Sequence, residues 1–285
     1  MAAYKNRPPM EPGTQLRRYL PLVALEQMLR EKQLRMTRVD QFHDDDSYEG
    51  SVPKQQIDDQ VPIFSGWNAM QSMYSQVAAH YPDMQLPQRP WRDPWEMMTI
   101  RRGALTRSVH ASCWSAGPES GAMWRLYCED DGVRGQGVAI QVTLQKLEAS
   151  VAAHDLYVSP VIYRHYHEGP AFDNQLDAVM HKRVVFPHEQ EVRVLLYDEP
   201  HYLALNHGLT GDHTYGPAPI VPAELPKHIL LPWNALEVAQ MITISPYAIG
   251  EYELRVRAAV AAIDPAAASL TEPSALGERG QKAMF

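Results

Sequence analysis

The chain has 285 residues, 45% of them hydrophobic, and a formal net charge of −8. That apolar fraction is ample for a sizeable core, and the acidic balance excludes a general electrostatic affinity for nucleic acid or an anionic membrane, while leaving room for a local basic strip. Two cysteines, Cys113 and Cys128, exclude a disulfide scaffold and a zinc-type cysteine pair. No run of about 18 apolar residues marks a membrane span. MAAYKNRPPMEPGTQ also lacks the apolar stretch of a secretory leader. The expected location is therefore the bacterial cytoplasm, or a target cell into which the chain is delivered, with no membrane partner.

In chain order, residues 1–14 read as a flexible arm, rich in proline and polar residues. Leu16, Tyr19 and Leu20 mark a short strand, and Pro21 suits a first helical position. Leu22, Leu25, Met28 and Leu29 follow the helical period, and Leu34 to Thr37 form a second short strand. The acidic loop HDDDSYEG follows and reads as a solvated turn, since it lacks the spacing of a calcium loop. Residues 58–102 read as an inserted helical segment. Trp67, Met70, Met73, Tyr74 and Val77 stand at helical spacing there, and Pro82, Pro87, Pro90 and Pro94 interrupt the pattern.

Further on, residues 108–115 read as a strand, 120–130 as a helix and 137–143 as a strand. YVSPVIYR reads as a strand, 171–183 as a helix and 190–197 as a strand. Residues 198–232 read as loop with short strands. LEVAQMITISPYAIGEYELRVRAAVAAI closes as strand then helix, and 264–285 read as a weakly ordered tail. The expected fold class is α/β (α+β), with one domain over residues 15–263.

Two segments carry the candidate chemistry. In EQEVRVLLY, strand alternation puts Val192, Val194 and Leu196 on one face and Glu189, Glu191 and Arg193 on the other. Two carboxylates so placed repel unless a cation, a hydroxyl or a ligand lies between them. Either the face is solvated and carries a Glu191–Arg193 ion pair, or an acid is held beside a sugar, where it stabilises a developing oxocarbenium ion.

In HASCWSAGPESGAMWRLY, Ser112 and Trp114 alternate with Cys113 and Ser115, and a helix brings Met123, Trp124 and Tyr127 within one turn. These aromatics are either core or the wall of a ligand cleft, and the hydroxyls clustered at a strand-to-helix junction favour the cleft. The glycines of GVRGQGVAI precede a strand, so they make a turn rather than a dinucleotide fingerprint. His165 and His167 have no third ligand at metal spacing, and no HExxH, GxSxG or P-loop occurs, so no metal is expected and the common hydrolases are disfavoured.

Taken in order, four pieces resemble the bacterial family known as domain of unknown function 2971. They are RRY with RVDQFHDDDSYEG, then ASCWS with MWRLY and GVAI, then HKRVVFPHEQEVR, and last ITISPYAIG before a closing helix. The resemblance spans residues 15 to 260; Trp114 replaces the usual phenylalanine, and the 58–102 insertion is extra.

The layout is more distantly similar to the ADP-ribosyltransferase fold, which implies a split mixed β-sheet around an NAD cleft. Carried over, Arg18 (or Arg17) takes the first position, Ser112 or Ser115 the second, and Glu191 the third, with Glu189 two residues before it. EKQL stands where a glycine turn is usual.

The resemblance implies an enzyme that takes NAD as substrate and transfers ADP-ribose to a macromolecular acceptor, protein or nucleic acid. Such proteins act as toxins, effectors or antiphage factors, with an antitoxin or immunity partner. Arg18 would hold the pyrophosphate and Tyr19, Trp114, Trp124 and Tyr127 would surround the nicotinamide end, beside Ser112 or Ser115. Glu191 would stabilise the ribosyl cation, and Glu189 would orient or deprotonate the acceptor. An NAD glycohydrolase and a non-catalytic interaction module are the alternatives. A basic strip of Arg101, Arg102 and Arg107 would meet a phosphate backbone.

Overall fold

The computed structural model describes residues 8–44, 46–62, 94–166, 169–210 and 223–277, together with 65, 66, 69, 72, 73, 76 and 80. The opening strand β1 (Gln15–Leu20) leads through Pro21 into the helix Leu22–Glu31, whose buried stripe is Leu22, Leu25, Met28 and Leu29. Lys32 ends that helix in the left-handed conformation (φ 51°), its amide bonded to the Met28 carbonyl. A lysine thus makes the turn that glycine makes more cheaply, at a cost of about 1–2 kcal/mol. The chain then returns as β2 (Gln33–Arg38).

After the helices Lys54–Asp58 and Pro94–Ser108 come β3 (Val109–Ser115), the helix Gly121–Tyr127, β4 (Glu129–Asp130), β5 (Val133–Arg134) and β6 (Val138–Thr143). The helix Leu144–Val151 precedes β7 (Tyr157–Pro160), β8 (Ile162–Arg164), β9 (His181–Arg183) and β10 (Glu191–Tyr197). The helix Glu199–Thr210, β11 (His228–Pro232), β12 (Met241–Ile244), the helix Tyr252–Ile263 and β13 (Thr271–Pro273) complete the order.

Nine strands form one mixed sheet that forks at β3. One edge of β3 is taken along its whole length by β10, which carries β7 in turn. The other edge is shared: β2 pairs with the start of β3 (Thr37 opposite Ala111) and β1 with its end (Arg17 opposite Ser115). One branch therefore continues as β2–β11 and the other as β1–β6–β12–β13. Among the described residues, only the β12–β13 pair in this sheet is parallel.

The two sheet faces are covered differently. Leu16, Trp114, Ile140, Val192, Val194 and Ile242 pack into the larger core, with Leu25 and Val256 from the helices Leu22–Glu31 and Tyr252–Ile263. Val109, Ala111 and Leu195 pack on the opposite side with Leu105, Val179 and Tyr202. Each fully buried aliphatic side chain of this kind contributes about 1.5–3 kcal/mol. Consecutive residues of β10 therefore alternate between the two cores, which turns Glu191 and Arg193 toward the second face.

Several sequence expectations need correction. The presumed tail folds as far as Pro273, because the Asp264 side chain caps a short 3-10 helix and β13 adds to β12 as an edge strand. YVSPVIYR is interrupted at Val161, so that β7 joins the main sheet while β8 pairs with β9. The helix expected over 171–183 is confined to Asp177–Met180, and residues 199–210 are helical rather than loop. Trp67, Met70, Tyr74, Val77, Pro82, Pro87, Pro90 and His167 lie outside the described residues, whereas Met73 is described and exposed. Among the described residues, no helix is long and apolar enough to cross a membrane.

Candidate functional site

A cavity of about 240 Å³ opens where β1 and β2 diverge from β3. Pairing register decides which side chains reach it. Residues directly opposite in antiparallel strands share a face, so Arg17 of β1, Ser115 of β3 and Glu191 of β10 form one row across three adjacent strands. Tyr19, Cys113 and Arg193 lie on the same face, and all six line the cavity.

Arg193 is the anchor of this face and is fully buried. Its Nη1 and Nη2 donate to Glu49 Oε1 and Oε2 at 2.7 and 2.9 Å, and its Nε donates to Glu191 Oε1 at 2.7 Å. Lys182 Nζ stands between the two late acids, 2.5 Å from Glu189 Oε2 and 3.0 Å from Glu191 Oε2. It is the cation that this pair of carboxylates requires. Tyr127 Oη donates to the other oxygen of Glu189 at 3.1 Å. Within this network three carboxylates (Glu49, Glu189 and Glu191) face two cations (Lys182 and Arg193), and with Asp46, Arg17 and Arg18 the cavity lining as a whole holds four acids and four bases. The acids gather around Glu191, and that end favours a ligand group that is, or becomes, positive.

Protonation equilibria follow from the same contacts. Burial alone raises the Glu191 carboxyl, but Arg193 and then Lys182 outweigh it and hold the group down at about 2. Burial and then the Glu191 charge push the Cys113 thiol well above its usual value, so Cys113 supplies no thiolate nucleophile at neutral pH. Burial, followed by Glu189 and Glu191, likewise raises the Tyr127 phenol and keeps it a donor.

The acidic loop is not a solvated turn. Asp46 and Glu49 are both buried, Asp46 bonded to Arg183 Nη2 at 2.8 Å and Glu49 to Arg193. Gly50 closes the loop with φ 72°, where an added Cβ would lie 2.4 Å from Thr106 Cγ2. Only glycine lets the chain turn there beneath the helix Pro94–Ser108. Glu189 is also placed differently from the strand reading. It ends the 3-10 turn Pro187–Glu189, and Gln190, left-handed at φ 41°, links that turn to β10. The Glu189 carboxylate nevertheless reaches the cavity, through Lys182 and Tyr127.

The register separates residues that the sequence grouped together. Arg18 and Ser112 lie on the face opposite Glu191, where Arg18 Nη1 donates to Ser112 Oγ at 2.7 Å and Nη2 to the Arg35 carbonyl at 3.1 Å. Arg18 spans the fork and also lines the cavity, its guanidinium 5.9 Å from the Trp114 ring centre, and burial lowers its pKa to about 10. Arg17 and Ser115 are the members of the two alternative pairs that share the Glu191 face. Arg17 Nη1 donates to the Gly117 carbonyl at 2.9 Å, and Ser115 Oγ to the Glu189 carbonyl at 2.7 Å.

Trp114 touches the cavity at the fork but packs mainly in the core, edge-on to Trp233 at 6.0 Å. Trp124 does not line the cavity. It is fully buried, stacks edge-on beneath Tyr19 at 4.9 Å and donates from Nε1 to Glu119, so it supports the wall from behind.

No family model, curated protein or solved structure matches this chain. The functional reading therefore rests on the site itself. Lys182 and Glu49 carry much of that site without having been singled out in the sequence, and Arg17 was named there only as the alternative to Arg18. The signals for them were HKR ahead of the Glu-x-Glu strand, the acid three residues after Asp46, and the doubled arginine of RRY. Helix Gly121–Tyr127, which presents Tyr127, is capped by Ser120 Oγ accepting from the Met123 amide. The SPYAIG loop locks it in place: Tyr247 packs so closely on Gly121 that a Cβ there would lie 2.6 Å from its hydroxyl.

Proposed function

We propose that the chain cleaves the N-glycosidic bond of NAD and passes ADP-ribose to a macromolecular acceptor. The observation that carries this reading is the row Arg17–Ser115–Glu191 across β1, β3 and β10, facing one cavity. The order of residue types is that of the ADP-ribosyltransferase layout to which the sequence is distantly similar. At about 240 Å³ the cavity falls below the roughly 300–1,000 Å³ of typical ligand clefts, so it takes the nicotinamide–ribose end while the phosphates stay at the mouth.

As the glycosidic bond lengthens, positive charge grows on the ribose. Glu191, ionised throughout the physiological range, stabilises that charge more than it stabilises the ground state. Tyr19 and Tyr127 provide the aromatic wall, and Arg17 lies at the rim as a cation for phosphate. Glu189, held by Lys182 and Tyr127, is the acid placed to orient the acceptor once Lys182 releases it.

A second reading has its own observation behind it. Both Glu191 oxygens already accept from cations, which suits a buried ion-pair network in a non-catalytic binding module. Incubation of the purified protein with labelled NAD and cell lysate separates the two readings. The enzyme transfers label, Arg17→Gln reduces the transfer, and a folded Glu191→Gln protein abolishes it. A wild-type protein that transfers no more label than the lysate alone would leave only the network reading, and transfer unaffected by Glu191→Gln would remove Glu191 from the chemistry.

A further inference from the structure

The arginines around the fork divide into two groups. Arg193, Arg183 and Arg38 are each ion-paired, to Glu49 and Glu191, to Asp46, and to Asp40 and Glu224. Arg17, Arg18 and Arg35 have no carboxylate partner among the described residues, in a chain with 34 acids and 26 lysines and arginines. Register places the unpaired charge. His228 is opposite Thr37 and Leu230 opposite Arg35, so Arg35, Thr37, His228 and Leu230 share one face of the β2–β11 branch. Thr37, opposite Ala111, lines the cavity, which makes this face continuous with the Glu191 face. Arg35 and His228 are both exposed, and Arg18 fills the gap behind Arg35, bonded to its carbonyl.

We propose that Arg35 and His228, backed by Arg18 in the fork, form an anion-binding shelf at the outer lip of the cavity that takes the diphosphate of a nucleotide. The two shelf residues are diagonal neighbours across an antiparallel pair, about 7–8 Å apart along the sheet. Two donors side by side on one face give a diphosphate more oxygen contacts than a single carboxylate could use, and a guanidinium binds phosphate oxygens two at a time. His228 is held below its usual pKa by partial burial and then by Arg35, His110 and Lys227, so its surroundings are positive. Acids gather around Glu191 and bases without a carboxylate partner among the described residues stand toward the lip, which fits a ligand with a cationic head and an anionic linker. The inference rests on the NAD reading only for the identity of the nucleotide.

The test is calorimetric titration of the full chain at low salt with ADP-ribose, with pyrophosphate and with adenosine. ADP-ribose and pyrophosphate bind and adenosine does not. Arg35→Glu weakens ADP-ribose about ten-fold or more, while Arg30→Glu, the same charge change on an exposed helix position, leaves it unaltered. Wild-type protein that ignores pyrophosphate, or equal affinities in the two variants, overturns the shelf. Anion binding lost in Arg35→Glu without any nicotinamide release from NAD upholds the shelf and removes the NAD-cleavage reading. Nicotinamide release with the same KM in wild type and Arg35→Glu does the reverse.

Discussion

Arg17 and Glu191 stand on the same face of the sheet, each directly opposite Ser115, with β3 between them. Arg18 and Ser112 are joined to each other on the far face by a 2.7 Å hydrogen bond. Arg17 and Arg18 are one position apart and Ser112 and Ser115 three, so each pair is split between the two faces, and that split decides the roles. Arg17→Gln is expected to lower NAD cleavage while leaving the thermal midpoint nearly unchanged. Ser112→Ala is expected to lower the midpoint and leave the rate per folded molecule intact. Parallel melting curves and nicotinamide assays on the two variants check this.

Removing Glu49 strands a buried guanidinium. Arg193 loses two charge-assisted bonds of 2.7 and 2.9 Å and keeps only Glu191 and the Val179 carbonyl. Glu49→Gln is expected to cost about 3–5 kcal/mol in urea unfolding, the range for breaking a buried ion pair by removing one partner. A loss below about 1 kcal/mol would show that the network is solvated in solution.

Acid sensitivity follows from Glu191. Its folded pKa, about 2, is depressed from an ordinary value of 4.5. The stabilisation from its charge is therefore present above pH 4.5 and is lost as the pH falls from there through about 2. Lys182→Met removes one of the cations that depress the pKa, so in that variant the stabilisation is smaller and its loss, still beginning near pH 4.5, is complete at a higher pH. Denaturant midpoints measured across pH 2 to 7 are expected to show the wild-type decline and a shallower one in Lys182→Met.

Gly50 is expected to be intolerant of a side chain. Its φ of 72° and the 2.4 Å approach of Thr106 Cγ2 to an added Cβ act together. Gly50→Ala should lose about 1–3 kcal/mol. Gly132, also at φ 72° but with open space around it, should lose less on the same substitution. Comparing the two variants in one unfolding series separates the close approach from the backbone strain.

Part of the sheet was legible because EQEVRV, the first part of EQEVRVLLY, alternates polar with apolar from Glu191 to Val194. Val192 and Val194 could face only an apolar core, and Glu191 with Arg193 only the other side. The demand for a cation between Glu189 and Glu191 was also legible, but its identity was not, because Lys182 follows a stretch whose helical pattern ends at Met180 and gives way to β9. The choice between Arg17 and Arg18 was out of reach for a different reason. Both sit in a short strand whose facing is set by β3, about 100 residues further along. Burial of Asp46 and Glu49 was hidden in the same way, since their partners Arg183 and Arg193 arrive 137 and 144 residues later. Thr271–Pro273 is too short to show a period, and it becomes a strand only because the β12 edge is open beside it.

Free nicotinamide released from NAD by the purified protein, with Glu191→Gln beside it and thermal midpoints recorded for both, tests the central claim most directly. The account predicts release by the wild-type protein and a rate about 10²–10³ lower in a folded Glu191→Gln variant. A folded Glu191→Gln protein that releases nicotinamide at the wild-type rate would contradict it.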